Sequence, residues 1–195
     1  MSYRIVQKIA AEELFLSHSE LSARMQVPRD YDMTRVQPLI EKLLAEIDCR
    51  MTAVKVPVTI TGDAVELGIC RVKSRDLAYI LRGSNQAYIF AVTLGMDVER
   101  YLLKLSKISV GDHFVADAIA SAYAESAADR ASEILSVSAK LKKRFSPGYG
   151  DLPLEIQKDI LGALSAEKNI GITLTDTLLM KPQKSITAIA GIENE

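Results

Sequence analysis

Between Arg144 and Pro153 the chain reads Arg-Phe-Ser-Pro-Gly-Tyr-Gly-Asp-Leu-Pro, directly after an alanine-rich helical pattern. Proline fixes its own φ, removes an N–H and pushes the preceding residue toward extended geometry. Gly148 and Gly150 open turn conformations that a β-carbon disfavours. The helix therefore has to stop here, and the chain has to turn tightly with N–H and C=O groups released from helical bonding. On composition alone such a segment is first a helix stop and a connector. Its backbone polar groups, the planar fork of Arg144 and the ring of Tyr149 also make a cradle suited to a small zwitterionic ligand.

The helix that this turn ends is expected to start at Gly111–Asp112, with Asp112 as its cap, and to be the longest in the chain. Ala116, Ala118, Ala120, Ala122, Ala124, Ala127, Ala128 and Ala131 give it high intrinsic propensity and a thin surface. By the three–four rule Glu125 shares a face with Ala118, Ser121, Ala122, Ala128 and Asp129. A carboxylate among small residues leaves room for a ligand's ammonium group, although a solvated glutamate is the commoner case for a charged helix residue.

Upstream, residues 86–94 form a nearly continuous apolar run (Ala87, Tyr88, Ile89, Phe90, Ala91, Val92), the pattern of a central strand covered on both faces. Gly95 and a helix over 97–106 follow. A strand–glycine–helix order suggests a dinucleotide fold, but one glycine lacks the triple spacing and no repeated strand–helix units accompany it. Residues 52–60 and 64–72 predict a hairpin turning at Gly62-Asp63, and Ser74 caps a short helix through Leu81. Val36, Leu39, Ile40, Leu43, Leu44 and Ile47 predict an amphipathic helix with Pro38 in its first turn. Residues 4–16 predict a helix or short edge element, and His18–Asp32 a loop. Beyond the turn, residues 152–164 predict a short amphipathic helix. Residues 172–174 and 185–192 predict strands flanking a Met180-Lys181-Pro182 turn, where Thr175, Asp176 and Ser185 either line a site or satisfy turns.

With 195 residues, 48% hydrophobic and 25% charged, the chain has an ordinary globular composition and can bury a substantial core. A net charge of −1 with interspersed signs gives no basic field for nucleic acid and no polybasic segment for a membrane surface. Cys49 and Cys70 form no metal motif or disulfide framework. With no signal-like apolar core at the N-terminus, a cytoplasmic location is expected. His18 and His113 lack the company that zinc needs. No nucleophile elbow, phosphate loop or kinase signature is present.

Arg144-Phe145-Ser146-Pro147-Gly148-Tyr149, followed by an amphipathic helix and then by Ile170-Gly171-Ile172-Thr173-Leu174-Thr175-Asp176-Thr177-Leu178-Leu179-Met180-Lys181-Pro182-Gln183-Lys184-Ser185-Ile186, resembles the reactivation domain of cobalamin-dependent methionine synthase. In that family the order is Arg-x-x-Pro-Gly-Tyr, a short helix, then Gly-x-x-Leu-Thr-Glu-Ser-x-x-Met-x-Pro-x-x-Ser-Val. Ala118 to Glu125 matches the family's Ala-x-Ala-x-x-x-Ala-Glu. The resemblance covers residues 85–192 well and residues 1–84 poorly. Together with the element pattern it implies a single α+β domain over residues 1–195, with a twisted, mainly antiparallel sheet packed on the long alanine-rich helix and several shorter ones.

The resemblance also implies a function. The family's domain binds S-adenosylmethionine and presents its methyl group to a cobalamin cobalt that has lost an electron, while a flavodoxin-like or iron–sulfur donor supplies the electron. By motif match Glu125 would hold the amino group and Arg144 the carboxylate. The backbone from Ser146 through Gly148 to Tyr149 would line the adenosine side, with Ser185 at the mouth. The family's Asp-x-His-x-x-Gly cobalt-ligand signature is missing, since Asp112 and His113 are adjacent. The cobalamin is therefore expected from a partner, either a corrinoid-binding protein or a methionine synthase lacking its own activation domain, in methionine biosynthesis. The family's Trp-Thr-Pro motif, with its aspartate, has no counterpart here, and the family's domain continues to a tyrosine-bearing segment whereas this sequence stops at Glu195. Two other functions remain open: a non-catalytic module that docks on a corrinoid protein without S-adenosylmethionine, and a methyltransferase for an unrelated acceptor.

Overall fold

The computed structural model describes residues 4–194; residues 1–3 and 195, which the sequence assigns to the same domain, lie outside it. In chain order the elements are β1 (Arg4–Lys8), α1 (His18–Met25), α2 (Gln37–Glu46), β2 (Arg50–Pro57), β3 (Thr59–Thr61), β4 (Ala64–Glu66), β5 (Arg71–Lys73), α3 (Arg75–Ile80) and β6 (Gln86–Thr93). After them come α4 (Met96–Ile108), α5 (Val110–Ser136), α6 (Gln157–Leu164), α7 (Ala166–Ile170), β7 (Thr173–Leu174), β8 (Met180–Lys181) and β9 (Ser185–Gly191). The fold is α+β.

One antiparallel sheet, ordered β1-β2-β6-β9, carries two cores, one on each face. Side chains alternate across a strand, so β6 sends Tyr88, Phe90 and Val92 to one face and Ala87, Ile89 and Ala91 to the other. The first face meets α5, with α1, α2 and α4 packed around that helix. The second meets α6, α7 and a small sheet of order β3-β4-β5. Phe90 lies opposite Ala53 on one side and Ala188 on the other, and all three are fully buried. Burial on both faces accounts for the unbroken apolar run of β6 within an antiparallel sheet.

The alanine content of α5 has a packing consequence. Ala116, Ala120, Ala127, Ala128 and Ala131 are fully buried in the core that α5 shares with the sheet and with α1, α2 and α4. Short side chains let the helix axis approach the strands closely, which leaves the polar flank of α5 beside the sheet edge instead of lifted away from it.

Several expectations are corrected. Residues 18–25 form a helix, not a loop, because Ser17 and Glu20 make a capping box: the Glu20 amide donates to Ser17 Oγ at 3.3 Å and the Ser17 amide to Glu20 Oε2 at 2.9 Å. Residues 4–8 are the edge strand of the two options. The cap of α5 is Ser109, whose Oγ accepts from the Asp112 amide at 3.2 Å, so Asp112 sits in the first turn. The strand expected over 52–60 divides at Val58, and the one over 64–72 is interrupted over residues 67–70, around Gly68. Met180 and Lys181 are themselves a strand, paired with β7. The Gly62-Asp63 turn, the Ser74 cap of α3 and helices α2, α4 and α6 lie where expected. Among the described residues no helix is long and apolar enough to cross a membrane.

Candidate functional site

After α5 the chain runs back along the free edge of β9. Leu141 bridges to Ile192 and Phe145 to Ile189, and the Phe145–Ile189 amide–carbonyl bonds are 2.8 Å in both directions. Phe145 packs its ring toward the core that holds α6. Neighbouring residues in extended chain point opposite ways, so Arg144 faces α5. This edge pairing explains why one arginine at the entrance of a proline–glycine turn reaches a helix carboxylate 19 residues upstream.

Arg144 Nη2 donates to Glu125 Oε2 at 2.9 Å, and Nη1 donates to Asp129 Oδ1. Glu125 and Asp129 are one helical turn apart, so both carboxylates meet the two arms of the same fork. The Arg144 side chain is 23% exposed, that of Glu125 37% and that of Asp129 63%. Burial acts to lower the Arg144 pKa; hydrogen bonds and charge from Asp129, then Glu125, more than offset it, and the guanidinium lies above its ordinary value. Arg24 of α1 stands 3.8 Å from the other oxygen of Glu125. The four side chains sum to zero formal charge.

Glu125, Asp129 and Arg144 form one wall of a groove of about 1340 Å³ between the C-terminal half of α5, the returning segment and the start of β9. Glu125, Arg144, Ser146, Tyr149 and Ser185 all line it; Gly148 does not. Gly148 instead shapes the turn, with φ of +85° and its N–H donated to the Leu152 carbonyl at 2.9 Å. The Tyr149 amide bonds Ser146 O at 3.3 Å, so these two donors serve the loop, while the Tyr149 side chain is 61% exposed. Ser185 is buried. Its hydroxyl lies 2.7 Å from Pro182 O and 2.8 Å from Thr93 Oγ1, both partners within the fold. Thr175 closes its own turn through the Leu179 amide, and neither it nor Asp176 lines the groove.

Three features of the site have no role assigned by the sequence. Asp129 is the second carboxylate on Arg144, and its i+4 position from Glu125 was the available signal. Lys184, 12% exposed, bonds Asp117 at 2.8 Å and Ser121 Oγ at 2.9 Å, tying the strap before β9 to the same helix face. On the floor, Thr187 Oγ1 donates to Gln157 Oε1 at 3.2 Å, and Gln157 Nε2 donates to Leu178 O at 3.1 Å. Nothing in the local sequence signals that last pairing.

The arrangement suits an amino-acid head group. A guanidinium offers two parallel donors to a carboxylate, and a second carboxylate within reach accepts from an ammonium. The apolar surface of Phe145, Pro147, Ile186 and Met180 continues the groove for a longer ligand body.

No protein-family model matches the sequence, and a search of curated proteins returns no match. Among solved structures, the chain is similar to the MetH reactivation domain bound to AdoHcy, with a TM-score of 0.74 over 98% of this chain and 78% of that one, at 15% identity. The likeness therefore takes in the N-terminal third as well as residues 85–192. The chain has the fold of that reactivation domain.

Proposed function

We propose that the chain binds S-adenosylmethionine in the groove beside α5 and serves the reductive reactivation of a corrinoid-dependent methyltransferase of the methionine synthase type. The observation that carries this is the convergence of Arg144 and Glu125 at 2.9 Å, from different elements, in the wall of a groove. It is supported by a shared fold with a domain solved with AdoHcy.

When bound, S-adenosylmethionine supplies the methyl group; the protein's contribution is placement. Arg144 holds the ligand carboxylate and Glu125 its ammonium. These two contacts fix one end of the ligand, so the sulfonium lies at a set distance along the groove. The turn from Ser146 to Tyr149 bounds the adenosine end, with Gly148 setting its curvature and Ser185 closing the floor. The groove opens to the surface, where a cobalamin carried by a partner protein has access. The electron comes from a flavodoxin-like or iron–sulfur donor.

Isothermal titration with S-adenosylmethionine tests this. Wild type should bind, and Arg144→Ala should lower affinity about 10- to 100-fold, the worth of a charge-assisted hydrogen bond. Equal heats for the two proteins at millimolar ligand would end the proposal. One observation favours a second function: Val137 and Tyr149 on the groove wall are large apolar side chains left exposed. A docking module that grips a corrinoid protein without the ligand would use them, and it would bind that partner with unchanged affinity in Arg144→Ala.

A further inference from the structure

The guanidinium that is proposed to take the ligand carboxylate already holds two carboxylates of its own chain. A fork has two arms for a planar acid, and here Nη2 is on Glu125 and Nη1 on Asp129. A ligand carboxylate that takes either of these arms has to displace the carboxylate already on it, and with Glu125 kept in place the arm it takes is Nη1.

The two are not equivalent. Glu125 is the less exposed and has Arg24 on its far oxygen at 3.8 Å, so it is held from both sides. Asp129 is 63% exposed, and Arg144 is its one ion-pair and hydrogen-bond partner among the described residues. Swung out, Asp129 rehydrates readily, whereas displacing Glu125 would carry away the carboxylate that the ligand ammonium needs. The exchange with least cost therefore moves Asp129.

Resting on the proposed ligand site, we infer that Asp129 is a placeholder carboxylate: it keeps Arg144 neutralised and aimed into the groove, competes with the carboxylate of an amino-acid ligand, and leaves when that ligand enters. It thereby sets affinity. It also acts only on ligands that carry a carboxylate, since adenosine-side contacts do not use Arg144. Once displaced, Asp129 is solvated and its field on the ligand ammonium is screened, so removal of the direct competitor dominates.

The test titrates S-adenosylhomocysteine and 5′-methylthioadenosine, which shares the adenosine and sulfur but lacks the amino-acid head group, into wild type, Asp129→Asn, Asp129→Ser and Asp129→Glu. Thermal melts check that each variant folds, which its exposed position favours. Loss of the charge in the Asn and Ser variants should tighten S-adenosylhomocysteine about 2- to 5-fold, the scale of an exposed ion pair. It should leave methylthioadenosine unchanged, and Asp129→Glu should behave as wild type. Unchanged or weaker S-adenosylhomocysteine binding in the Asn and Ser variants overturns the placeholder while leaving the ligand site standing. So does an equal change for both ligands. If neither wild type nor any variant binds S-adenosylhomocysteine, the ligand site itself fails and Asp129 has no such role.

Discussion

Asp151 caps α3 from 76 residues away in sequence: its Oδ2 accepts from the Arg75 amide at 2.8 Å. Its other oxygen accepts from the Ser74 hydroxyl and, at 3.3 Å, from the Asp76 amide. The proline–glycine turn is thus fastened at its far end to a helix N-terminus, while Phe145 fastens its near end to β9. A loop held at both ends can aim Arg144 reproducibly, which a free connector could not.

Replacing Asp151 by Asn should lower the urea midpoint at neutral pH, because a neutral amide accepts less strongly from those donors. The carboxyl pKa of Asp151 is lowered in the folded state, chiefly by the Ser74 hydrogen bond and then by the Arg75 amide. A depressed folded value means the contribution is fully present above the ordinary carboxyl pKa of 3.8 and is lost as pH falls through the folded value. The gap between wild type and Asp151→Asn should therefore be constant near neutrality and close only below about pH 3.8. A gap that closes between pH 5 and 7 would assign the effect to some other group.

Gly150 and Gly62 offer a matched comparison. Both have positive φ, +54° and +63°. Alanine at either one meets the left-handed penalty of about 1–2 kcal/mol. A β-carbon on Gly62 meets nothing within 4 Å, whereas one on Gly150 runs into the Asp76 carboxylate. Gly150→Ala should therefore destabilise clearly more than Gly62→Ala in chemical denaturation, and it should also weaken ligand binding through Arg144. Equal losses would show that the Asp76 side chain or the loop yields freely.

Ser17→Ala removes one half of the box that starts α1. Loss of an N-cap serine costs about 1 kcal/mol, so the urea midpoint should fall modestly, with amide exchange rising first in residues 18–21. α1 packs against α5, and through Arg24 it touches Glu125, so the cap also has a small part in the site.

That helix shows where the sequence was legible and where it was not. β6 and α5 declare themselves because burial on two faces and an alanine stripe leave long, one-sided patterns. α1 does not: it is short, most of its eight residues are polar, and only Leu21, Ser22 and Met25 are buried. Its signal was the Ser17–Glu20 spacing, a cap without an apolar stripe behind it. In the site, Glu125 and Arg144 could be named because a motif carried them. Asp129 lay in view on the same face, yet its pairing depends on the edge-strand register of Phe145 on Ile189. That is a long-range backbone fact which no local window contains. Ser185, expected at the mouth of the site, spends its hydroxyl inside the fold.

The two thiols should be inert in the native state. Burial, followed by the charge of Asp48, pushes Cys49 up to about 12, and burial with the charge of Asp159 pushes Cys70 up to about 11. The reactive species is the thiolate, so at pH 8 a disulfide reagent should titrate neither at an appreciable rate. Both should appear on unfolding in guanidinium. Fast labelling of Cys70, which is half-buried, would reveal opening of the short β4–β5 connection.

The Arg144–Glu125 pair allows ligand binding and fold stability to be separated. Both side chains retain solvent contact, 23% and 37%, and pairs of this kind couple by about 1 kcal/mol or less in double-mutant cycles. Glu125→Gln, Arg144→Gln and the double variant should therefore unfold within a narrow range of wild type, with coupling no larger than that. Binding of S-adenosylmethionine should behave differently. Each single change strips one charge-assisted contact from the ligand and should weaken affinity about 10-fold or more, and the double variant should lose both ends of the head group. An ion pair kept for the fold would give the reverse: large coupling in unfolding and little change in binding. The ratio of the two effects, measured on the same four proteins by urea denaturation and calorimetry, decides between them.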